Sequence, residues 1–164
     1  MKILIIGKAR HGKDTAAQIL ADKYNLKFAS SSEFVAERAV YPTLMPKYGY
    51  TSKEEAFADR VNHRTEWRKL ISKYNEDDPA RLARELIAEH DIYVGMRSAD
   101  EFDHAQWLFD LILYIEADDR VGGIDESMDI EADSADYVID NNGDLGLLTE
   151  QLTYIYNMEL ELSR

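Results

Sequence analysis

An apolar run followed at once by a glycine-containing loop opens the sequence, and this order restricts the fold more than any other feature. The run is Ile3-Leu4-Ile5-Ile6, and the loop from Gly7 to Lys13 has the form G-x-x-x-x-G-K. The glycines let backbone N–H groups converge on phosphate oxygens, and the N-terminus of the next helix adds partial positive charge. The order predicts a buried strand, a phosphate-binding loop and a helix, with Lys13 at the β- and γ-phosphates of a nucleoside triphosphate.

The residue after Lys13 departs from the usual motif, which has Ser or Thr there to ligate Mg²⁺. This chain has Asp14 and then Thr15. Asp14 either stabilises the helix dipole or reaches the metal, directly or through water, while Thr15 contacts the α-phosphate. We expect ATP and Mg²⁺ as cofactors, with Asp14 and Thr15 as the candidate metal residues. Arg10 and His11 either contact donor phosphates or point to solvent. The expected donor-binding residues are Gly7, Lys8, Ala9, Arg10, His11, Gly12, Lys13, Asp14 and Thr15.

Composition narrows the class of partner. The chain has 164 residues, a formal net charge of −13 and no cysteine, and its length suits a single domain over residues 1–164. Polymeric nucleic acid is bound through many Lys and Arg contacts, so we do not expect it as a partner, whereas a small phosphorylated ligand is compatible with this charge. We expect no membrane span, because no apolar run reaches roughly 18 residues. The strand and loop at the N-terminus leave no room for a signal peptide, so we expect a cytoplasmic protein.

Short apolar strands alternate with helical segments along the chain. This alternation predicts an α/β fold with a central parallel sheet of about five strands and helices on both faces. Ligands of such sheets bind at the carboxyl ends of the strands, so the ends at Gly7, Ser30, Gly95 and Glu116 should line the site. The predicted strands cover residues 2–6, 27–29, 92–94, 111–115 and 137–139. The predicted helices cover 13–24, 33–40, 51–73 with or without a bend, 78–89, 98–109 and 145–160.

Three local signals between these elements lead to further expectations. The prolines in 41–46 predict a helix break followed by a loop over 47–50. Thr51 and Glu54 have the spacing of a capping box. The acidic stretch 116–134 predicts a mobile excursion that holds one helical turn or none.

A basic segment within the helix predicted over 51–73 is a candidate acceptor site. Arg60, Arg64, Trp67 and Arg68 follow one another at i, i+4, i+7 and i+8, so an unbroken helix would place them on one face. Such a face could clamp a phosphate and stack a base, with Arg64 preferred over Arg60 as the phosphate contact. The alternative is a solvated helix whose Trp67 lies in the core. His63 is more typical of a surface residue than of a catalyst.

Three stretches give the chain a resemblance to a known family. They are Gly7–Thr15 with its Gly-Lys-Asp-Thr ending, Ile92–Phe102, and Tyr137–Leu145. On these stretches the chain resembles the P-loop nucleoside monophosphate kinases, and within them the phage-type deoxynucleoside monophosphate kinases. The resemblance implies a three-layer P-loop kinase fold, with a helical acceptor-binding insertion over about 33–90 and a short lid over about 117–134. It also implies the host cytoplasm as location if the gene belongs to a phage.

The resemblance also implies roles for particular residues. Lys13 would contact the transferring phosphoryl group, Arg97 the acceptor or transferring phosphate, and Arg120 would lie at the start of the lid. Gly95 stands where the family usually has an aspartate that orients the metal, so Asp14 or Asp91 would have to replace it. The lid also has fewer arginines than many monophosphate kinases. The expected catalytic residues are Lys13, Arg97 and Arg120, and the expected acceptor-binding residues are Ser31, Glu33, Phe34, Arg60, Arg64, Trp67 and Arg97. For Ser31, helix capping is the alternative.

The function implied is ATP-dependent phosphoryl transfer to a (deoxy)nucleoside 5′-monophosphate. A phosphate acceptor is already ionised near neutral pH, so no strong general base is required, in agreement with the lack of a recognisable triad or carboxylate pair. One alternative is a kinase for a hydroxymethylated or otherwise modified pyrimidine, as a nucleotide or within DNA. The other is a non-catalytic nucleotide-binding module. The sequence leaves the preferred base, the sugar and a homodimeric state open.

Overall fold

A parallel five-stranded sheet forms the centre of the computed structural model, in which residues 1–122, 125 and 128–163 are described. The strand order within these residues is β2-β3-β1-β4-β5, and every neighbouring pair is parallel. The central strand β1 pairs with β3 and β4, with Ile3 opposite Ile92 and Leu111. The strands are β1 (Ile3–Ile6), β2 (Phe28–Ser30), β3 (Ile92–Val94), β4 (Leu111–Glu116) and β5 (Tyr137–Asp140).

Helices cover both faces of this sheet, which confirms the predicted three-layer α/β fold. The α-helices of the described residues are α1 (Lys13–Tyr24), α2 (Ser31–Val35), α3 (Tyr41–Tyr48), α4 (Lys53–Ala58), α5 (Arg64–Tyr74), α6 (Arg81–Glu89), α7 (Ala99–Ala105), α8 (Asp118–Val121) and α9 (Leu145–Leu162). A π-helical turn over Ala36–Val40 and 3₁₀ turns over Asp59–Asn62, Gln106–Leu108 and Ala132–Ser134 complete the helical segments. Among the described residues, no helix combines the length and apolar character needed to cross a membrane.

The uninterrupted apolar strands are explained by burial on both faces of the sheet. Ile3 and Ile5 of β1 pack against α1 and α9. The alternate residues Leu4 and Ile6 pack on the opposite face with α2, α6 and α7. A third apolar cluster lies among helices α3 to α5, away from the sheet. The sheet therefore fixes the carboxyl ends of β1 to β5 rigidly at one edge, where the phosphate loop follows β1.

The structure corrects the predicted helix break at residues 41–46 and the predicted loop over 47–50. The backbone is helical from Ser31 to Tyr48, through the π-helical turn and into α3. Pro42 lies in the first turn of α3, directly after the π-helical turn, and lacks the N–H that another residue would contribute to a continuous helix there. Pro46 lies inside the same helix. The helix ends instead at Gly49, which has a positive φ of 72° and donates its N–H to the Met45 carbonyl.

The capping box at the start of α4 is shifted by one residue from its predicted position. Ser52, not Thr51, accepts the cap hydrogen bond, from the N–H of Glu55 at 3.1 Å. The Glu55 carboxylate in turn accepts the N–H of Thr51 at 2.8 Å. Helix α6 begins at Arg81, three residues later than predicted from Asp78. The expected helical turn in the acidic stretch is α8, while residues 123, 124, 126 and 127 of the predicted lid lie outside the described residues.

Candidate active site

The loop between β1 and α1 has the backbone conformation that its glycines predict. Gly7 has a φ of 142° and Gly12 a φ of 95°, both in the region that L-residues rarely adopt. A Cβ atom on Gly7 would collide with the backbone oxygen of Ile115, and one on Gly12 would collide with the Asn141 side chain. Neither glycine can be replaced without displacing β4 or the turn after β5. The loop is therefore held in a fixed wrap around the N-terminus of α1.

His11 fastens this loop to the sheet and does not point to solvent. Its side chain is only 1% exposed, and its Nδ1 accepts the backbone N–H of Ala117 at 2.9 Å. Its own carbonyl accepts a hydrogen bond from Asn141 Nδ2 at 2.8 Å. Burial lowers the pKa of His11, so the ring is neutral at pH 7 with its proton on Nε2, 3.6 Å from Asp118. The alternative in which this ring points to solvent is therefore wrong. Asn141, which the sequence did not indicate as a site residue, belongs to the same set of contacts that hold the loop.

Lys13 lies at the start of α1 with its ammonium drawn into the loop. Its Nζ donates to the Lys8 carbonyl at 2.7 Å. Burial lowers the pKa of Lys13 from 10.5 to about 8, and the neighbouring Arg97 guanidinium contributes to this decrease. A polyphosphate would add negative charge beside this ammonium beyond that of Asp14 and Asp125.

An acidic side chain occupies the position where the loop would bind an anion. The Asp125 carboxylate accepts the backbone N–H of Ala9 at 2.7 Å and pairs with Arg97 at 2.8 Å. Lys8 pairs in the same way with Asp118, at 2.7 Å. A backbone donor and a guanidinium thus converge on one carboxylate, an arrangement that would also suit a bound anion.

A cavity of about 500 Å³ extends from the phosphate loop along the carboxyl ends of β2 and β3. Its mouth is formed by Lys13, Asp14 and Arg97, and its middle by Ser31 and apolar side chains. Ser31 donates its hydroxyl to the Gly95 carbonyl at 3.1 Å, so it joins the two strand ends. The volume is within the range of sites for small organic ligands. The prediction that ligands would meet the ends of β2 and β3 agrees with this placement.

The predicted basic face is divided by the structure. Arg60 lies in the 3₁₀ turn before α5, stacks 3.7 Å from the centre of the Phe57 ring, and lines the cavity. Arg64 begins α5 as an exposed residue and is not among the described residues that line it. Trp67 is buried against Tyr41 and Phe57 in the cluster of α3 to α5. Of the two arginines, Arg60 is the one that lines the central cavity, and the packing favours the core alternative for Trp67.

The two residues predicted at the start of α2 lie apart. Phe34 is buried beneath the Arg38 guanidinium, 3.5 Å from the ring centre, and does not appear among the described residues that line the central cavity. Glu33 is exposed and lines a smaller outer cavity together with Asp14 and Arg60. Ser31 alone of the three predicted residues in this segment lines the central cavity.

A second cavity of about 290 Å³ lies on the other side of the loop and of the α1 N-terminus. Thr15 and Arg120 line it, together with the turn after β5. Arg120 donates its Nε–H to the Asn141 carbonyl at 3.0 Å. We call it the donor cavity, and the cavity of 500 Å³ the central cavity. Asp14 faces the central cavity, so the two candidate metal residues line different cavities.

The backbone explains why a glycine stands at position 95. Gly95 has a φ of 95°, where any side chain is strained. Asp91 cannot supply the missing carboxylate, because it precedes β3 and lies at the opposite edge of the sheet. There it pairs with Lys2 at 3.4 Å and accepts the Lys27 N–H at 3.0 Å. Asp14 is therefore the candidate metal carboxylate that the structure leaves at the site.

The inner end of the central cavity contains a carboxyl group that we did not predict as a site residue. Glu101 on α7 lines this end and accepts the Tyr93 hydroxyl at 2.6 Å. Burial raises the pKa of Glu101 to about 7. The only sequence signal was its position four residues after Arg97, which by itself is as typical of an exposed first helical turn.

Comparisons with known proteins give a fold and no closer relative. No protein-family model and no curated protein matches the chain. Shikimate kinase from Aquifex aeolicus vf5 matches at 16% identity over 98% of this chain and 96% of that chain, with a TM-score of 0.57. A gluconokinase from Sinorhizobium meliloti 1021 matches at 12% identity over 99% and 97%, with a TM-score of 0.51. Dephospho-CoA kinase from Campylobacter jejuni matches at 12% identity over 96% of both chains, also at 0.51. The chain therefore has the fold of P-loop kinases.

Proposed function

We propose that this protein is an ATP-dependent kinase that transfers a phosphoryl group to a (deoxy)nucleoside 5′-monophosphate. The observation that carries the proposal is the central cavity, which joins the cations of Lys13, Arg97 and Arg60 to an apolar interior. A monophosphate bound at the cations would place its flat base in that interior. Phosphoryl transfer needs in-line positioning and positive charge around the transferring group, and the cations beside the phosphate loop would supply that charge.

The donor nucleotide fits the opposite side of the loop. The backbone of Gly7–Thr15 would hold its phosphates, and the donor cavity with Thr15 and Arg120 would hold its sugar and base. This arrangement makes Arg120 a donor-binding residue, since it lies across the α1 N-terminus from Arg97. Asp14 is the carboxylate that fits Mg²⁺, which binds proteins through one or two carboxylates plus substrate phosphates and neutralises charge on the β- and γ-phosphate oxygens.

The residues at the end of β2 favour a phosphate over a hydroxyl acceptor. The chain has the serines Ser30, Ser31 and Ser32 there. Ser31 donates to the Gly95 carbonyl, and Ser30 and Ser32 share one hydrogen bond of 3.0 Å, which leaves one hydroxyl proton of this pair to donate to a phosphate oxygen. A hydroxyl acceptor requires a base to remove its proton, whereas a phosphate acceptor does not. Of the carboxyl groups near this site, Asp14 is assigned here to the metal, Glu101 accepts the Tyr93 hydroxyl, and Glu33 is exposed and lines the outer cavity.

The test is an ADP-release assay with Mg²⁺ and ATP against the common ribo- and deoxyribonucleoside monophosphates. Shikimate, gluconate, dephospho-CoA and 5-hydroxymethyl-dUMP complete the panel, because they represent the named neighbours and the modified-pyrimidine alternative. We expect turnover on one or more common monophosphates, abolished in Lys13→Met. Lys23→Met is the matched control, since Lys23 lies exposed in the last turn of the same helix. Turnover confined to a hydroxyl acceptor, or ATP binding without any turnover, would contradict the proposal.

A further inference from the structure

The carboxyl group at the inner end of the central cavity has no part in the phosphoryl transfer proposed above. Glu101 Oε1 accepts the Tyr93 hydroxyl at 2.6 Å. Within residues 1–122, 125 and 128–163, no other hydrogen bond is made to this carboxyl. Its second oxygen is therefore available to a molecule that occupies the cavity, and Oε1 retains a lone pair for a further donor.

The path from the phosphate loop to Glu101 suits a flat apolar ring. Val35, Ile71 and Leu82 line the same cavity as the cations Lys13 and Arg97 and the Glu101 carboxyl. A base packed against these side chains would present its polar edge to Glu101 while its 5′-phosphate remained at Arg97. A carboxyl group buried at such a position favours a ligand that supplies hydrogen-bond donors to it, because a desolvated polar group without a partner is destabilising.

Resting on the proposed function, we propose that Glu101 is a specificity-determining residue that favours guanine as the acceptor base. Guanine presents two adjacent N–H donors, at N1 and N2, and an ionised carboxylate presents two acceptors that can receive both. Adenine and cytosine present one donor beside one acceptor, and thymine presents one donor between two acceptors. Each of these bases leaves an acceptor facing a carboxylate oxygen.

The surroundings of Glu101 allow this ionised state in the complex. Its pKa of about 7 is raised by burial, and two N–H donors from a base would lower it again, because they stabilise the charged form. At pH 8 the carboxyl is then ionised with guanine bound. The titratable or charged groups around it are Tyr93 on β3, Arg97 before α7, Asp100 beside it on α7, and Arg68 and Glu76 across an adjoining cavity.

The experiment compares kcat/KM for dGMP, dAMP, dCMP and dTMP at pH 8 in the wild type and in Glu101→Gln. The wild type is expected to prefer dGMP. The glutamine keeps the size of the side chain and can still accept the Tyr93 hydroxyl, but its amide offers one donor and one acceptor. We expect the ratio of kcat/KM for dGMP to that for dAMP to fall by about tenfold or more, since a bidentate contact discriminates by roughly 1–3 kcal/mol. The dissociation constant of ATP should stay unchanged.

Two further variants separate recognition from structure. Asp100→Asn removes a charge from the neighbouring exposed position of α7 and should leave all four ratios as in the wild type. Glu101→Asp keeps the carboxyl but withdraws it by one methylene, so dGMP should weaken without any gain for the other bases. This variant also serves as the test if Glu101→Gln does not fold.

The outcomes distinguish this inference from the function on which it rests. A wild type that phosphorylates no nucleoside monophosphate overturns both. A wild type that phosphorylates monophosphates without preferring guanine overturns the role of Glu101 alone. A loss of kcat/KM in Glu101→Gln that is equal for all four bases likewise overturns this role, since a uniform loss indicates a structural effect.

Discussion

Replacing Lys13 by methionine should stabilise the nucleotide-free protein, although it removes a residue on which the proposed activity depends. At pH 7 Lys13 is protonated both in the unfolded chain, where its pKa is 10.5, and in the folded protein, where its pKa is about 8. Keeping Lys13 protonated in the folded protein therefore lowers the free energy of unfolding by about 3 kcal/mol, since each pKa unit corresponds to about 1.4 kcal/mol. Methionine keeps the apolar stem and removes the charge.

One hydrogen bond that the variant cannot form reduces this gain. The Nζ of Lys13 donates to the Lys8 carbonyl in the wild type, and that hydrogen bond contributes about 1 kcal/mol. The carbonyl keeps the His11 N–H as a partner, at 3.4 Å. The net expectation for Lys13→Met is a free energy of unfolding about 2 kcal/mol above that of the wild type at pH 7.

The difference in stability between Lys13→Met and the wild type should change with pH, in a direction that the two pKa values of Lys13 determine. As the pH rises above 8, folded Lys13 loses its proton while the unfolded chain retains it up to about 10.5, so the wild type gains stability relative to the variant. Between pH 7 and 9.5 the advantage of Lys13→Met should shrink by about 2 kcal/mol. Urea unfolding without nucleotide at both pH values measures this, with Lys23→Met as the exposed-lysine control. A variant no more stable than the wild type at pH 7, or an advantage equal at both pH values, would refute the reasoning.

Two other substitutions test the placement of the acceptor site and of the loop. Arg60→Ala should raise KM for the acceptor by about tenfold to a hundredfold, because a hydrogen bond to a charged group is worth about 1.5–3 kcal/mol. The matched Arg64→Ala should leave KM unchanged, and the reverse pattern in steady-state kinetics would restore the preference predicted from sequence. His11→Phe removes the acceptor of the Ala117 N–H and should lower the free energy of unfolding by about 1–3 kcal/mol, as measured in urea. Wild-type stability in that variant would show that His11 does not fasten the loop.

The phosphate loop and the sheet could be predicted from sequence because their signals are local. The run Ile3–Ile6 has no polar alternation, and a strand buried on both faces requires this. The loop glycines stand where positive φ is needed. The fold follows from such signals repeated along the chain, since strands separated by helices can pair in parallel only through crossovers on the faces of a sheet.

The acceptor side could not be predicted in the same way, because its geometry depends on one backbone irregularity. The spacing of Arg60, Arg64 and Trp67 places them on one face only if the helix is continuous at about 3.6 residues per turn. The 3₁₀ turn over Asp59–Asn62 has about three residues per turn, and His63 then leaves the helical conformation with a φ of −125°. Arg60 is thereby directed to the cavity, while Trp67 follows α5 into the core.

Glu101 and Asn141 were missed for a different reason. The role of Glu101 depends on its hydrogen bond with Tyr93 on β3. The role of Asn141 depends on its hydrogen bond with His11, which lies 130 residues earlier in the chain. Contacts between such distant positions are set by the register of the sheet. In a single sequence, an asparagine after a strand and a glutamate in a first helical turn are equally typical of a turn and of an exposed cap.

The protein is strongly acidic, yet cations lie beside the loop that is proposed to bind phosphate. The way in which these cations are paired explains how an anion could still bind there. With a net charge of −13, the protein gives Lys8 a partner in Asp118 and Arg97 a partner in Asp125, both next to the loop. Lys13 has a carbonyl as its hydrogen-bond partner, and its pKa is lowered to about 8. A triphosphate would replace the Asp125 carboxylate at Ala9, an acceptor phosphate would replace it at Arg97, and both would add charge at Lys13. Binding at Arg97 is then an exchange of one anion for another, whereas the gain in electrostatic energy is concentrated at Lys13.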